Sequence, residues 1–267
     1  MLKEFFEKRK IEYFGVLDYD DCPVTFPELM AREDFTPRSV ILFLVPYYTG
    51  KTENISIYAQ SYDYHIIIKM ICKELEALLK EHFPDAKMKG YGDHSPIAEC
   101  QSAAMADLGV MGENMLLINE KYGSYVFIGD LISDIDPTSL GAKAPKTVGK
   151  CIGCNRCKTA CPTGILRGES IPCLSAITQR KGELSGWEMD LMRKVGTAWG
   201  CDECQKVCPY NENPIPTPLD FFYEDRIPCL TRERLASLDK SELARRAFSW
   251  RGRRTVERNL DIIFDGK

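Results

Sequence analysis

The stretch CIGCNRCKTACPTGI, residues 151–165, decides what kind of fold and chemistry this chain can have. Its four cysteines follow one another at intervals of three, three and four residues, and a proline follows the last of them. Packing alone rarely selects such a spacing, because a buried thiol behaves as an ordinary small apolar side chain. The spacing is typical of thiolates that ligate a metal centre.

A second group of cysteines lies downstream, and it also ends in a Cys-Pro pair, within CDECQKVCPYN at 201–211. In bacterial ferredoxins, three cysteines of such a run bind one iron–sulfur cluster and the fourth binds the neighbouring cluster. The same crossed arrangement predicts two 4Fe-4S clusters here. Their expected ligands are Cys151, Cys154, Cys157 and Cys208 for one cluster, and Cys161, Cys173, Cys201 and Cys204 for the other.

A structural zinc site is the alternative interpretation, since Cys-x-x-Cys pairs also bind zinc. Zinc takes four ligands in two separated pairs, so a third cysteine at the same interval, followed by Cys-Pro, favours iron–sulfur. The remaining cysteines are scattered, and we interpret each as a small buried hydrophobe. They are Cys22, Cys72, Cys100 and Cys229.

The composition is that of an ordinary globular protein. Of the 267 residues, 44% are hydrophobic and 28% are charged, and the net charge of −4 gives no overall sign of a polyanionic partner. No apolar run reaches the roughly 18 residues that span a bilayer, and MLKEFFEKRK at the start lacks the apolar centre of a signal peptide. We therefore expect a cytoplasmic protein without membrane insertion.

The first 140 or so residues alternate between strand and helix patterns. Short apolar runs at 13–19 and 39–48 predict buried strands, and the residues at 62–83 have the apolar spacing of an amphipathic helix. Residues 114–132 predict a strand, a turn and a second strand. This pattern predicts a layered α/β domain.

Four segments of this domain, taken with the two cysteine groups, resemble epoxyqueuosine reductase. They are YAQSYDYH (58–65), GDHSPIAE (92–99), LGVMGEN (108–114) and GSYVFIGDL (123–131). The resemblance implies an α/β (α+β) fold in which a nitroreductase-like cobalamin-binding domain is fused to a ferredoxin-like two-cluster iron–sulfur module. It also implies reduction of epoxyqueuosine to queuosine in tRNA, with cobalamin as a further cofactor.

The expected domains follow the chain in order. Residues 1–140 would form the cobalamin-binding α/β domain, and residues 141–230 the ferredoxin-like domain with two 4Fe-4S clusters. Residues 231–267 would form a basic C-terminal helical segment. A stretch rich in Pro, Gly and Lys at 134–150 is typical of a linker between the first two domains.

Asp93 is the candidate catalytic residue that the resemblance implies, because it occupies the family's Asp-x-x-Pro segment. It would protonate the departing oxygen while cobalamin, reduced by the nearer cluster, delivers electrons. The residues alone favour a loop aspartate instead, since Ser95 and Pro96 predict a helix start and Gly109 its end. A helix N-terminus favours the carboxylate, so a role as general acid requires burial.

The expected cobalamin contacts also come from the resemblance. They are Tyr64, His65, Asp93, Ser95 and Asn114. An external low-potential electron donor, such as ferredoxin or flavodoxin, would supply the clusters. The chain resembles a short form of the family that lacks the C-terminal helical-repeat domain, so the substrate could be tRNA or a small molecule.

The segment RRAFSWRGRRTVERN, at 245–259, carries six arginines, two aromatic residues and one acid. Arginines with interleaved aromatics can bind phosphates and stack on unpaired bases. They can equally pair with acidic groups of the same protein, and the sequence does not separate the two. The alternative functions are a reductive dehalogenase-like or flavin-containing nitroreductase-like reductase of a small molecule, and a ferredoxin-type electron carrier.

Overall fold

The computed structural model describes residues 1–265, which fall into two compact units with interleaved ranges. The first unit comprises Met1–Pro46 and Tyr64–Gly153, and the second comprises Tyr47–Asp63 and the chain from Cys154 onward. Within the described residues, no helix has the length and hydropathy needed to cross a membrane.

The first unit is built on a four-stranded antiparallel sheet and a separate two-stranded pair. The sheet has the order β1 (Phe14–Asp18), β2 (Ser39–Pro46), β6 (Val126–Ser133) and β3 (Met88–Gly92). The smaller pair is β4 (Val110–Met111) with β5 (Leu117–Ile118). The helices are α1 (Leu2–Glu7), α2 (Pro27–Met30), α3 (Tyr64–His82) and α4 (Glu99–Met105).

Strand β2 explains the layering of this unit. All eight residues of SVILFLVP are buried, which is the pattern of a strand that is covered on both faces. Helix α3 packs against β3 and β6, and α4 packs against β2 and β6. The apolar spacing of α3 follows from this contact, because Ile67, Ile71 and Leu75 are buried and the charged residues between them are exposed.

The predicted start of the second helix at Ser95 is wrong, because α4 begins at Glu99. Residues 95–98 are held in an extended segment, since the amides of Thr25 and Phe26 donate to the Pro96 carbonyl at 2.8 and 3.0 Å. The helix also ends at Met105, before the predicted Gly109. A Cβ at Gly109 would lie 2.5 Å from the Ile118 carbonyl oxygen, so this glycine permits a close backbone approach.

The predicted strands within 114–132 exist, but they do not pair with each other. Strand β5 pairs with β4, whereas β6 crosses to the large sheet between β2 and β3. Only the isolated bridge between Asn119 and Gly123 spans the predicted turn. The sequence pattern of β5 and β6 does not predict their pairing partners, because pairing depends on which strands become neighbours in the folded protein.

The second unit is mainly helical. Its helices are α5 (Arg156–Ala160), α6 (Leu174–Gln179), α7 (Gly186–Val195), α8 (Glu203–Lys206), α9 (Arg232–Ser237), α10 (Lys240–Ala244) and α11 (Arg253–Asp265). Helix α11 packs against α6, α7 and α9. The C-terminal helices therefore share one apolar core with the cysteine region, and its largest fully buried side chains include Trp199 and Phe248.

The compact units group residues differently from the predicted ranges 1–140, 141–230 and 231–267. Residues 47–63 belong to the second unit, where Ser56 and the amide of Ile57 bind the buried carboxylate of Asp202. The predicted linker at 134–150 belongs to the first unit, where the Lys146 amide donates to the Met105 carbonyl at 2.9 Å. The three functional segments stay a prediction.

Candidate functional site

Asp93 lies in the loop that leaves β3 at its last residue, Gly92. Its backbone is left-handed, with φ of 73°, a conformation that Asp adopts more readily than most residues. The side chain is exposed, and the Asp93 amide donates a hydrogen bond to Oε1 of Glu99 at 2.9 Å. Glu99 is the first residue of α4, so the helix start and the candidate proton donor are directly connected.

A buried carboxyl lies beneath this loop. Asp130 stands near the middle of β6, opposite Leu42 on one side and Tyr91 on the other, and its side chain is fully buried. Within residues 1–265 neither of its carboxyl oxygens makes a hydrogen bond of normal geometry. The hydroxyl of Ser95, which is itself buried, favours the ionised form of this carboxyl.

Burial raises the pKa of the carboxyl groups of Asp130 and Glu99. It raises the pKa of Asp130 to about 7, against the opposing effect of the Ser95 hydroxyl. The pKa of Glu99 rises to about 8, first through burial and then through the negative charges of Asp130 and Asp93, while the Asp93 amide opposes the rise. Near neutral pH the pair therefore retains about one proton.

Three aromatic rings form a stack at the same end of the sheet. Tyr64 lies parallel to Phe127, with ring centroids 3.8 Å apart, and against His65 at 4.2 Å. His65 is exposed and Tyr64 is half-buried. A Cβ at Gly92 would lie 3.0 Å from Ile68, one turn after Tyr64, so the start of α3 and the Asp93 loop adjoin each other.

Asn114, the fifth predicted cobalamin contact, lies in the loop between β4 and β5. Its side chain is buried, and Oδ1 accepts a hydrogen bond from the Leu116 amide at 3.4 Å. Its Nδ2 has no hydrogen-bond partner among the described residues. A buried amide donor without an acceptor suits a ligand that carries amide carbonyls, such as the side chains of a corrin ring.

The second unit presents its cysteines at the ends of short helices. Cys157 lies in α5, Cys173 precedes α6, and Cys204 lies in α8, which packs against α5. Within residues 1–265, no disulfide joins any of the cysteines. Among the four scattered cysteines, Cys22 and Cys72 are buried as expected, whereas Cys100 and Cys229 are only half-buried.

The thiols of this region influence one another's ionisation. Burial raises the pKa of Cys204 to about 12, and the nearby thiols of Cys201, Cys173 and Cys157 add to the rise. Burial likewise raises the pKa of Cys201 to about 12. Thiols that are packed together and repel one another as thiolates fit a cationic iron–sulfur core, which supplies the missing positive charge.

Cys161 differs from these thiols. Burial alone would raise its pKa, but the amides of Leu166, Thr163 and Gly164 and the Thr163 hydroxyl outweigh this effect and lower it. Amide donors around a cysteine sulfur are a feature of iron–sulfur ligation. Within residues 1–265, no group of three or more His, Cys, Asp or Glu side chains converges closely enough for a single metal ion.

The basic segment at 245–259 divides into packed and exposed residues. Arg246 is fully buried, pairs with Asp225 and lies over the ring of Tyr62 at 4.6 Å. Arg253 donates to the carbonyls of Leu235 and Leu238 at 2.5 and 2.6 Å. Other arginine and aromatic side chains of the segment are exposed. They are Arg245, Trp250, Arg251 and Arg254.

Comparison with known proteins places these features in a family. Residues 150–211 match the family described as a 4Fe-4S double cluster binding domain. Residues 35–94 match the family described as epoxyqueuosine reductase QueG, DUF1730. The chain is 32% identical over 263 residues to the epoxyqueuosine reductase of Listeria monocytogenes, covering 89% of this chain and 66% of that protein. It is 30% identical to the Escherichia coli enzyme, covering 74% and 52% respectively.

Solved structures share the fold. An epoxyqueuosine reductase bound to an epoxyqueuosine-modified tRNA-Tyr stem loop superimposes with a TM-score of 0.79 at 21% identity, covering 98% of this chain and 80% of that one. The Bacillus subtilis enzyme, with its catalytic aspartate loop swung out of the active site, gives a TM-score of 0.76 at 21% identity, with the same coverage.

A mixed α/β unit together with a 4Fe-4S double cluster binding domain places the chain among the iron–sulfur proteins. Within that class, the chain belongs to the epoxyqueuosine reductase family. The predicted family and the predicted 4Fe-4S domain are thus confirmed. The chain spans about two thirds of the Listeria relative and about half of the Escherichia coli one.

Sequence reasoning missed Glu99 and Asp130. Both lie inside segments that carry the family resemblance, GDHSPIAE and GSYVFIGDL. The one signal in the sequence was an acidic residue within the otherwise apolar run VFIGDLI, where a buried strand is expected. Their proximity could not be read from the sequence, because it depends on α4 packing against β6.

We expect the Asp130→Asn substitution to flatten the pH dependence of stability. In the folded protein Asp130 keeps its proton up to a pKa of about 7, above the ordinary pKa of 3.8 that applies in an unfolded chain. Between these two pKa values the folded state binds more protons than the unfolded state. The free energy of unfolding of the wild type therefore falls as pH rises from about 4 to about 7. The melting temperature between pH 4 and pH 9 measures this slope, and each kcal/mol corresponds to roughly 2–4 °C.

The matched control is Asp85→Asn, which neutralises an exposed carboxyl in the same unit. It should retain the wild-type slope. The comparison uses the slope and not the melting temperature at one pH, because a buried asparagine amide carries its own desolvation cost at every pH. A wild-type slope in Asp130→Asn would show that Asp130 is ionised throughout this range.

Proposed function

We propose that this protein is an iron–sulfur and cobalamin-dependent reductase that converts epoxyqueuosine to queuosine in tRNA. One observation carries the proposal. The same chain has a 4Fe-4S match at residues 150–211 and an α/β unit in which Asp93 directly follows the strand β3. The similarity to epoxyqueuosine reductases over 89% of the chain supports it. The proposed location is the cytoplasm, and the proposed electron donor is a ferredoxin or a flavodoxin.

The finer architecture is part of this proposal. Residues 1–140 would be a nitroreductase-like cobalamin-binding domain, and residues 141–230 a ferredoxin-like domain with two clusters. The description of the matching family as a double cluster domain supports the number of clusters. The ligand sets are those that the spacing gives: Cys151, Cys154, Cys157 and Cys208, and Cys161, Cys173, Cys201 and Cys204.

The residues around Asp93 suit a bound corrin. When bound, cobalamin would supply the electrons that open the epoxide. Tyr64 and His65 would offer the edge of their ring stack, and the free Nδ2 of Asn114 would donate to an amide of the cofactor. Ser95, which is buried beside Asp130, would shape the floor of the site.

Asp93 would act as the proton donor. Its exposed side chain is accessible to a substrate, and its amide is held by Glu99, the first residue of α4. A macromolecule or cofactor that covers the loop would desolvate the carboxyl and raise its affinity for a proton. Asp93 would then hand that proton to the departing oxygen of the epoxide.

The exposed part of the basic segment would contact the RNA. Arg251 lies over the ring of Trp250 at 3.6 Å, which presents a cation and an aromatic face together. Arg254 is exposed and has no ion-pair partner among the described residues. Such a surface can bind phosphates and stack on an unpaired base.

Metal analysis tests the cofactors. Protein reconstituted anaerobically with iron, sulfide and cobalamin should hold about eight irons and one cobalt per chain. Cys204→Ala should lower the iron content to about four, since it removes one ligand of one cluster. Cys229→Ala, at a half-buried cysteine outside both sets, is the control and should keep the full iron content. Iron without cobalt, or a flavin absorption band, would remove cobalamin from the proposal.

Replacement of the proton donor tests the chemistry. Asp93→Asn should lower kcat for epoxyqueuosine-containing tRNA by about 10²- to 10⁴-fold, since an amide cannot donate the proton. The iron and cobalt contents of the variant should equal those of the wild type. Asp85→Asn serves again as the exposed control and should keep wild-type turnover. Full activity in Asp93→Asn would reject Asp93 as the acid.

Salt-dependent binding tests the RNA surface. The double substitution of Arg251 and Arg254 by alanine should weaken binding of the tRNA anticodon stem loop, and it should reduce the salt slope by about 0.7 for each phosphate that the protein no longer neutralises. Arg32→Ala removes one exposed cation from the other unit and should leave the slope unchanged. Equal slopes in the double variant and the wild type would place the RNA elsewhere.

A further inference from the structure

The loop that carries Asp93, residues 93–98, has more backbone hydrogen bonds in its later part than in its earlier part. Its later part is fixed by backbone hydrogen bonds, since the Ala98 amide donates to the Pro23 carbonyl at 2.8 Å and Val24 bridges Ile97. Among the described residues, the earlier part has two attachments. The Asp93 amide donates to Glu99, and the His94 ring contacts Phe26 with centroids 4.7 Å apart.

The backbone of Asp93 needs such an attachment. A left-handed conformation is disfavoured at a non-glycine residue, although less so for Asp than for most, and it persists where the surroundings hold it. A hydrogen bond from a backbone amide to an ionised carboxylate is stronger than one to a neutral acceptor. The strength of the attachment therefore depends on the charge of Glu99.

We infer that Glu99 is a positioning residue that holds the Asp93 loop in place through the Asp93 amide. This inference rests on the proposed function, because it is there that Asp93 acts as the proton donor. Glu99 does not touch the reacting atoms in this arrangement. It acts through the loop.

Asp130 is fully buried, and the Ser95 hydroxyl opposes the rise of its pKa. Once Asp130 ionises, its carboxylate adds a negative charge near Glu99. Burial first, and then this charge, make the Glu99 carboxyl retain its proton to higher pH. When Glu99 then ionises, near pH 8, it accepts more strongly from the Asp93 amide, so the loop becomes better held as pH rises.

Buried phenols and thiols also face this pair. Burial raises the pKa of Tyr91 to about 12, and it raises those of Cys22 and Cys72 to about 12 as well. Burial also raises the pKa of Tyr19. Burial also raises the pKa of Cys100, so these phenols and thiols stay neutral between pH 6 and pH 9. The exposed Asp93 and His94 lie in the loop itself.

Amide hydrogen exchange of the loaded protein tests the inference without using activity. Residue-resolved exchange, corrected for the intrinsic effect of pH, should show protection of the Asp93 amide that increases between pH 6 and pH 9. Glu99→Ala should lower this protection by about ten-fold at pH 8.5, as expected for the loss of one charge-assisted hydrogen bond. The amides of β2 in the same unit should be unaffected and serve as the internal reference.

Conservative variants separate positioning from a general loss of structure. Glu99→Gln keeps an acceptor oxygen, so it should keep partial protection but lose the increase with pH. Asp130→Asn removes the charge that delays ionisation, so the increase should move to lower pH. Glu81→Ala, at an exposed position of α3, should match the wild type. An unchanged Asp93 exchange rate in Glu99→Ala, or a retained pH increase in Glu99→Gln, would overturn the inference.

Turnover then distinguishes this inference from the proposed function. Glu99→Ala should lower kcat by about ten-fold or more with KM little changed and with unchanged iron and cobalt contents. An inactive Asp93→Asn combined with wild-type exchange in Glu99→Ala would reject the positioning role and leave the function standing. An active Asp93→Asn would reject the proposed chemistry, whereas the exchange result would still report on the attachment of the loop.

Discussion

The burial of one carboxyl in the central sheet is the constraint on which the candidate site depends. Asp130 occupies a strand position between Leu42 and Tyr91, so the register of β6 fixes where its charge lies. An ionised and unpaired carboxylate is costly in such surroundings, and the protein reduces that cost by retaining a proton. Burial and the Asp130 charge raise the pKa of Glu99, and Glu99 accepts a hydrogen bond from the amide of Asp93.

In the segment that follows Asp93, tertiary contacts override a local helix-start signal. Ser95 followed by Pro96 has the chemistry of a helix start, yet the helix begins at Glu99. The difference comes from pairing with residues 23–26, because the amides of Thr25 and Phe26 donate to the Pro96 carbonyl and the Ala98 amide donates to the Pro23 carbonyl. This extended segment moves the helix N-terminus away from Asp93 and puts a glutamate there, so the carboxyl of Glu99 can accept from the Asp93 amide.

In the second unit, the cysteine spacing and the apolar core are two independent requirements. The spacing selects the thiols, but short helices of four to six residues cannot hold them in place without packing. Helix α11 packs against one of them, α6, from the far end of the chain, and Val256 and Leu260 of α11 lie in the same apolar core as Leu174 and Ile177 of α6. The arginines of the basic segment divide accordingly, with Arg246 and Arg253 bound inside the unit and Arg251 and Arg254 left exposed.

The sequence by itself determined the features that are carried by spacing along the chain. These are the eight cysteine positions, the strands at 14–18 and 39–46, helix α3 and the resemblance that made Asp93 the candidate catalytic residue. Only the tertiary structure decided which residues surround Asp93, how β5 and β6 choose their partners and which arginines remain exposed. The reason is physical, because spacing and periodicity are local, whereas burial and the charge of Glu99 depend on segments that meet only after folding.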